Sequence, residues 1–236
     1  MGIDWHLLAL SPPGWGGLLL RGLATTLEVS GGGYVLGLLI GVAGAVGKLY
    51  GGPVSRDLWE CYTTAVRAIP ELVLIVLIYY AGTDAVNRVM AAFGHQAVDI
   101  NGLVAGIFVI AVVQGAYSTE VLRGAMKAVP FGEIEAARAF GMSSGQMLRR
   151  ITLPAMLPHA IPGLANLWLI ATKDTALLAV IGFTELTLAT REAGGATKAY
   201  FTFFCAAGLL YLMVTLVSNQ LFGIIERRAR RGQPGM

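Results

Sequence analysis

Charge is what this sequence has least of. Asp, Glu, Lys and Arg make up 13% of its 236 residues, against about 25% in a soluble domain of ordinary composition. The shortage is uneven: Val29 to Val46, Asn101 to Thr119 and Tyr200 to Ile225 carry no charged residue at all. Cysteine is scarce too. Cys61 and Cys205 stand far apart with no metal-ligand spacing, which excludes a disulfide framework and a zinc cluster and leaves both to be read as buried thiols acting as small hydrophobes. No G-x-x-x-x-G-K-[ST] loop occurs, so nucleotide chemistry must sit on another polypeptide. His6, His95 and His159 show no ligand spacing and are read as solvated or interfacial. Met1 to Gly17 has neither a basic start nor a clean small-residue cleavage site, so no removable signal peptide is expected.

What is present is apolar length. A helix needs about 20 apolar residues to cross roughly 30 Å of hydrocarbon, and five such stretches can be drawn: about Leu23–Val46, Arg56–Gly82, Gly102–Leu122, Ala160–Phe183 and Tyr200–Ile225. The fold class is therefore an all-α membrane protein with five transmembrane helices. It forms a single domain over residues 1–236, with a cytoplasmic loop at about 124–158. Orientation follows from the basic residues in the short loops. Lys48, Arg56, Arg123, Lys127, Arg138, Arg149, Arg150, Arg227, Arg228, Arg230 and Arg231 fall on one side. Arg88, Arg191 and Lys198 fall on the other, with Arg21 near its edge. The larger set marks the cytoplasm, which puts the N-terminus outside and the C-terminus inside. Trp5, Trp15, Tyr79 and Tyr80 suit the aromatic belts at the membrane surfaces.

Glycine indicates how the spans meet. Gly33, Gly37 and Gly41 recur at i+4 in the first span, and Gly102 and Gly106 at the start of the third. Lipid offers no hydrophobic drive for helix association, so stripes of small residues provide close approach instead.

The segment between spans three and four is unlike a passive connector. Glu133 to Phe140 favours helix up to Gly141, which can close it in the left-handed conformation. Ser143 or Ser144 can cap a second helix in which Met147, Leu148 and Ile151 share a face. Pro154, Pro158 and Pro162 then disfavour one continuous helix and predict a bent approach to span four. These features alone suit docking into a soluble partner and lying on the membrane surface about equally well.

Ionisable groups at membrane depth are expensive and are usually paired or functional. Arg67 and Glu71, at i+4, can face the same side of span two, as a mutual salt bridge or with Glu71 lining a cavity that attracts a cation. Glu120 ends span three near Arg123. Lys173 and Asp174 fall in the middle of span four about 100° apart, so they do not pair with each other. Lys173 could receive an α-carboxylate and Asp174 an α-ammonium, with Asn166 and Thr175 as polar neighbours.

At the loop the pattern becomes specific. Glu135-Ala136-Ala137, three residues, Gly141, nine residues, then Ile151-Thr-Leu153-Pro154 resembles the EAA signature of permease subunits of ABC importers. Gly22-Leu-Ala-Thr25-Thr-Leu27, Tyr117-Ser-Thr-Glu120-Val-Leu-Arg123-Gly124, Val129-Pro130 and Asn166 through Lys173-Asp174-Thr175 resemble the polar amino acid permeases. Gly47-Lys48-Leu49, Tyr62-Thr63-Thr64 and Pro70-Glu71-Leu-Val-Leu are most similar to the histidine/lysine/arginine/ornithine and opine (HisQ-type) subfamily. One departure is Arg67-Ala-Ile-Pro70, where many relatives read Arg-Gly-x-Pro.

The resemblance implies a type I (MetI-like) importer permease in the bacterial inner membrane. Its expected partners are a dimer of cytoplasmic ATPases, a second permease subunit that is a related heterodimer partner, an extracytoplasmic solute-binding protein, membrane lipid and an amino acid substrate; no nucleic acid is among them. ATP and magnesium belong to the ATPase, and this chain carries no cofactor or catalytic site of its own. The same resemblance implies that Glu135, Ala136, Ala137, Gly141, Ile151, Leu153 and Pro154 form the ATPase-coupling loop. Glu71, Glu120, Asn166, Lys173, Asp174 and Thr175 are the candidate substrate contacts, and a basic amino acid is the expected cargo. Another polar amino acid, an opine, or a stand-alone secondary transporter are the alternatives.

Overall fold

The computed structural model describes residues 4–96 and 101–230; Arg231, counted above with the cytoplasmic set, lies outside them. Nine helices follow in order: α1 (Gly16–Tyr50), α2 (Pro53–Ala68), α3 (Glu71–Ala92), α4 (Gly102–Lys127), α5 (Phe131–Ala139), α6 (Ser144–Met147), α7 (Leu153–Asp174), α8 (Leu186–Thr197) and α9 (Tyr200–Ala229). Five helical runs are long and apolar enough to cross a membrane: α1, α3, α4, residues 144–181 and α9.

The second span is not where the sequence suggested. Hydropathy drew it from Arg56 to Gly82, but the chain breaks at Ile69 (φ −90°, ψ 136°), and the spanning helix is Glu71–Ala92. Pro70 is the cause: its ring disfavours the α conformation in the residue before it. Arg67 and Glu71 consequently end one helix and begin another, and do not share a helix face. Tyr79 and Tyr80 move from the end of a span to the middle of α3. The α2 that remains is amphipathic, burying Thr63 and Val66. Cys61 points away from that face and is exposed, while Cys205 is half-buried, so neither is a buried thiol.

The α1–α4 seam forms the centre of the bundle. A Cβ added at Gly33 would come within 2.6 Å of Ile110, and one at Gly37 within 2.8 Å of Gln114 and 3.1 Å of the α4 backbone. At Gly41 it would overlap Ser118. The glycine stripe therefore lets two backbones approach to a distance that no side chain would allow. The second pair serves a smaller role: Gly102 meets the Phe183 ring and Gly106 meets Leu178 and Val29.

The three prolines do not bend α7 apart. Pro158 and Pro162 lie inside a continuous helix. The irregularity is a π turn at Leu148–Thr152, closed by Leu153 N–H donating to the Leu148 carbonyl. A proline ring clashes with the carbonyl four residues back, and the wider π turn moves the Arg150 carbonyl out of the way of Pro154. At the far end α7 tightens into a 3-10 segment, Thr175–Ile181, so Lys173 and Asp174 sit at a change of helix type.

Candidate functional site

Two helix ends bring carboxylates onto one face of α4. Glu71 opens α3 and Asp174 closes α7. Between them, Gln114 and Tyr117 stand three residues apart on α4, so they share a face. Tyr117 donates its hydroxyl to Glu71 Oε1 (3.3 Å), and Gln114 Nε2 donates to Asp174 Oδ2 (3.4 Å). Glu71 and Asp174 are themselves within hydrogen-bonding reach of each other. Gln114 is fully buried, and its Oε1 has no hydrogen-bond partner among the described residues. The group lies about 20 Å along α4 from its start, at 1.5 Å per residue, which is the middle of that helix.

Cations border this pair without neutralising it. Arg67 lies near Tyr117 and Lys173 near Asp174, both exposed on this chain, and no ion pair joins either to a carboxylate among the described residues. Asn166 and Lys173 are seven residues apart and share the exposed face of α7. Two carboxylates held together, with cations set aside, suit a ligand bearing a positive charge and an α-carboxylate.

The remaining predicted contacts lie elsewhere. Thr175 is fully buried, and its hydroxyl donates to the Thr172 carbonyl (2.8 Å). Glu120 belongs to a separate charged knot at the end of the bundle where the basic residues collect. There the buried Lys48 ammonium meets Glu120 (2.6 Å), Glu60 (2.7 Å) and the Thr63 hydroxyl (2.6 Å), and Arg123 closes on Glu120. Tyr117 and Gln114 were missed as site residues, although Tyr117 stands in the quoted permease stretch and Gln114 is a lone amide in a charge-free run.

A third polar group was also missed. Glu185 is fully buried and caps α8 by accepting from the Thr187 and Leu188 N–H groups (2.8 and 2.9 Å). Tyr211 of α9 and Thr26 of α1 donate hydroxyls to it. Burial pushes its carboxyl above the ordinary glutamate value, while the two N–H donors pull it down. It ties α1, α8 and α9 together.

The loop is built as its sequence reads. Gly141 (φ +74°) follows α5; its N–H donates to the Arg138 carbonyl and that of Met142 to Ala137, a Schellman closure. Ser143 caps α6 in a capping box with Gln146. Ile134 packs against a core of Ala45, Leu122, Ala125, Met126, Val129, Met156 and Ala160, which joins the loop to α1, α4 and α7. Ala137 is buried, whereas Glu135, Ala136, Gly141, Leu153 and Pro154 are exposed and Ile151 is half-buried. Phe140 is 85% exposed beside Gly141, the most prominent feature of the outer face and one that the spaced pattern did not pick out.

Residues 33–231 match the family described as binding-protein-dependent transport system inner membrane component. The histidine/lysine/arginine/ornithine transport system permease HisQ of Escherichia coli is 43% identical over 215 residues, 91% of this chain and 94% of that protein. The octopine transport system permease OccQ of Rhizobium radiobacter is 40% identical over 228 residues, 96% of each. A crystal structure of an amino acid ABC transporter with histidines superposes with a TM-score of 0.80 at 27% identity, over 97% of this chain and all (100%) of that one. An inward-facing MetNI methionine ABC transporter gives 0.72 at 22% identity, over 94% and 100%, a likeness of fold. The family match takes in most of the chain, both named permeases are covered over 94% or more of their length, and five helical runs are apolar enough to span a membrane: the chain belongs to the family of binding-protein-dependent transport system inner membrane components, as a multi-pass permease subunit of an ABC importer.

Proposed function

We propose that this subunit carries a basic amino acid into the cytoplasm by alternating access, with Glu71 and Asp174 receiving the cationic group and Lys173 or Arg67 the α-carboxylate. The observation that carries the reading is the approach of two carboxylates at the middle of α4, with no ion pair to either among the described residues. Such a pair is costly when empty and is relieved by a bound positive charge. The named relatives, a histidine/lysine/arginine/ornithine permease and an octopine permease, support the same charge class. The octopine relative makes a guanidinium-bearing opine a second cargo to include in any assay.

The drive comes from a separate ATPase pair docked on residues 131–154, through Glu135, Ala136, Gly141, Ile151, Leu153 and Pro154, with Phe140 as an added anchor. Closure of the ATPases on ATP and magnesium would push α5, and Ile134 would pass that push into the core of α1, α4 and α7. A second, related permease subunit completes the cavity over the exposed face of Asn166 and Lys173, and a solute-binding protein delivers cargo from outside. The N-terminus is outside and the C-terminus in the cytoplasm. The test is uptake of radiolabelled arginine, lysine, histidine and glutamine by the reconstituted complex carrying Glu71→Gln. Arginine and lysine uptake should fall at least about tenfold, the equivalent of one lost charge-assisted contact, and glutamine uptake much less. Unchanged arginine uptake would remove Glu71 from the site.

A further inference from the structure

At the basic end of the bundle, three helices enclose a cavity of about 300 Å³ lined by Lys48 and Leu49 of α1, Arg56 and Glu60 of α2, and Arg123 and Lys127 of α4. Two of its cations are committed: Lys48 to Glu60 and Glu120, and Arg123 to Glu120. Arg56 and Lys127 have no ion pair among the described residues. Four cations against the carboxylates of Glu60 and Glu120 leave two positive charges in excess.

We infer that this cavity binds the phosphate of an anionic phospholipid headgroup. Its depth is right. The charge-free stretch of α1 ends at Val46, two residues before Lys48, and that of α4 ends just before Glu120, so the cavity lies where apolar helix surface meets water. An apolar track leads to it: Leu39, Val42 and Val46 are exposed on α1, and their spacing of three and four residues continues to Leu49 on the cavity wall. A phosphate in the cavity would lay an acyl chain along that track. Free phosphate shares the charge chemistry but gains nothing from the track. Basic pockets between transmembrane helices are suited to headgroups of this kind. The inference rests on the orientation proposed above only for naming the cytoplasmic leaflet.

The assembled complex in mild detergent, offered phosphatidylglycerol and phosphatidylcholine in mixed micelles, is read by native mass spectrometry for retained lipid. The parent should retain phosphatidylglycerol over phosphatidylcholine by at least about fivefold, as expected for two uncompensated basic side chains. Arg56→Gln with Lys127→Gln should abolish the preference, whereas Arg227→Gln with Arg228→Gln, which removes equal charge from α9, should keep it. If the first double variant does not assemble, Lys127→Gln alone should about halve the preference. Equal retention of both lipids by the parent would overturn the inference. So would a preference that survives loss of Arg56 and Lys127, one lost equally with the α9 arginines, or displacement of the lipid by millimolar inorganic phosphate. Arginine uptake is a separate readout, so this inference and the proposed cargo fail independently.

Discussion

The two charged groups of the bundle are opposites. At the basic end, Lys48 is buried among Glu120, Glu60 and Thr63, and Arg123 closes the set. Lys48 and Arg123 are both paired with carboxylates, so the knot fastens α1, α2 and α4, and only Arg56 and Lys127 at its edge have no ion pair among the described residues. About 9 Å along α4, from Glu120 to Gln114 at 1.5 Å per residue, Glu71 and Asp174 meet each other instead. Their contacts are the neutral donors Tyr117 and Gln114. Opposite charges gathered in a bundle lock it. Like charges gathered in a bundle repel each other and suit a ligand of the other sign.

That contrast can be broken at its strongest point first. Lys48→Met would leave Glu120 with Arg123 alone and strand the Thr63 hydroxyl, while Glu60 is exposed to water; losing hydrogen bonds to a charged group costs about 2–3 kcal/mol. The expected result is loss of folded, assembled protein, measured as detergent-extracted complex and its melting temperature; Lys48→Met at parental stability would deny the knot its fastening role. Glu71→Gln should do the reverse, sparing the melting temperature while cationic uptake falls. Next in size is the seam between α1 and α4, where Gly37→Val would meet Gln114 and the α4 backbone; overpacking of about 1–3 kcal/mol should appear in thermal unfolding. Glu185→Ala removes a cap and strands the Tyr211 and Thr26 hydroxyls, a cost of about 2 kcal/mol, with the melting temperature again the readout. Smallest in stability is Phe140→Ala, an exposed change expected within about 0.5 kcal/mol. Its effect should instead be on coupling, seen as uptake falling relative to ATP hydrolysis by the complex.

Legibility in the sequence followed the range of the interaction. The Gly141 closure and the Ser143 cap were readable because each is decided within a few residues. The stripe of Gly33, Gly37 and Gly41 was readable as a place of close approach, because missing side chains at i+4 mark one face whatever lies opposite. The break at Pro70 was in principle readable from the residue preceding a proline, but the apolar run across it masked the signal. The three prolines of α7 misled for a related reason: a π turn upstream absorbed the clash, and hydrophobic packing kept the helix whole through Pro158 and Pro162.

What the sequence determined by itself was class: apolar length, the uneven placement of charge and the spaced loop pattern depend only on order along the chain. Which charges meet was decided by tertiary structure alone. Glu120 and Glu71 are both acids in apolar surroundings, and nothing local tells them apart. Glu120 became part of a knot because the α1–α4 seam aligns it with Lys48. Glu71 came to stand beside Asp174, more than a hundred residues away, because Pro70 ends one helix and starts another at the depth where α7 tightens. Electrostatic partners are set by distance in space, and that distance is fixed only when the helices have packed.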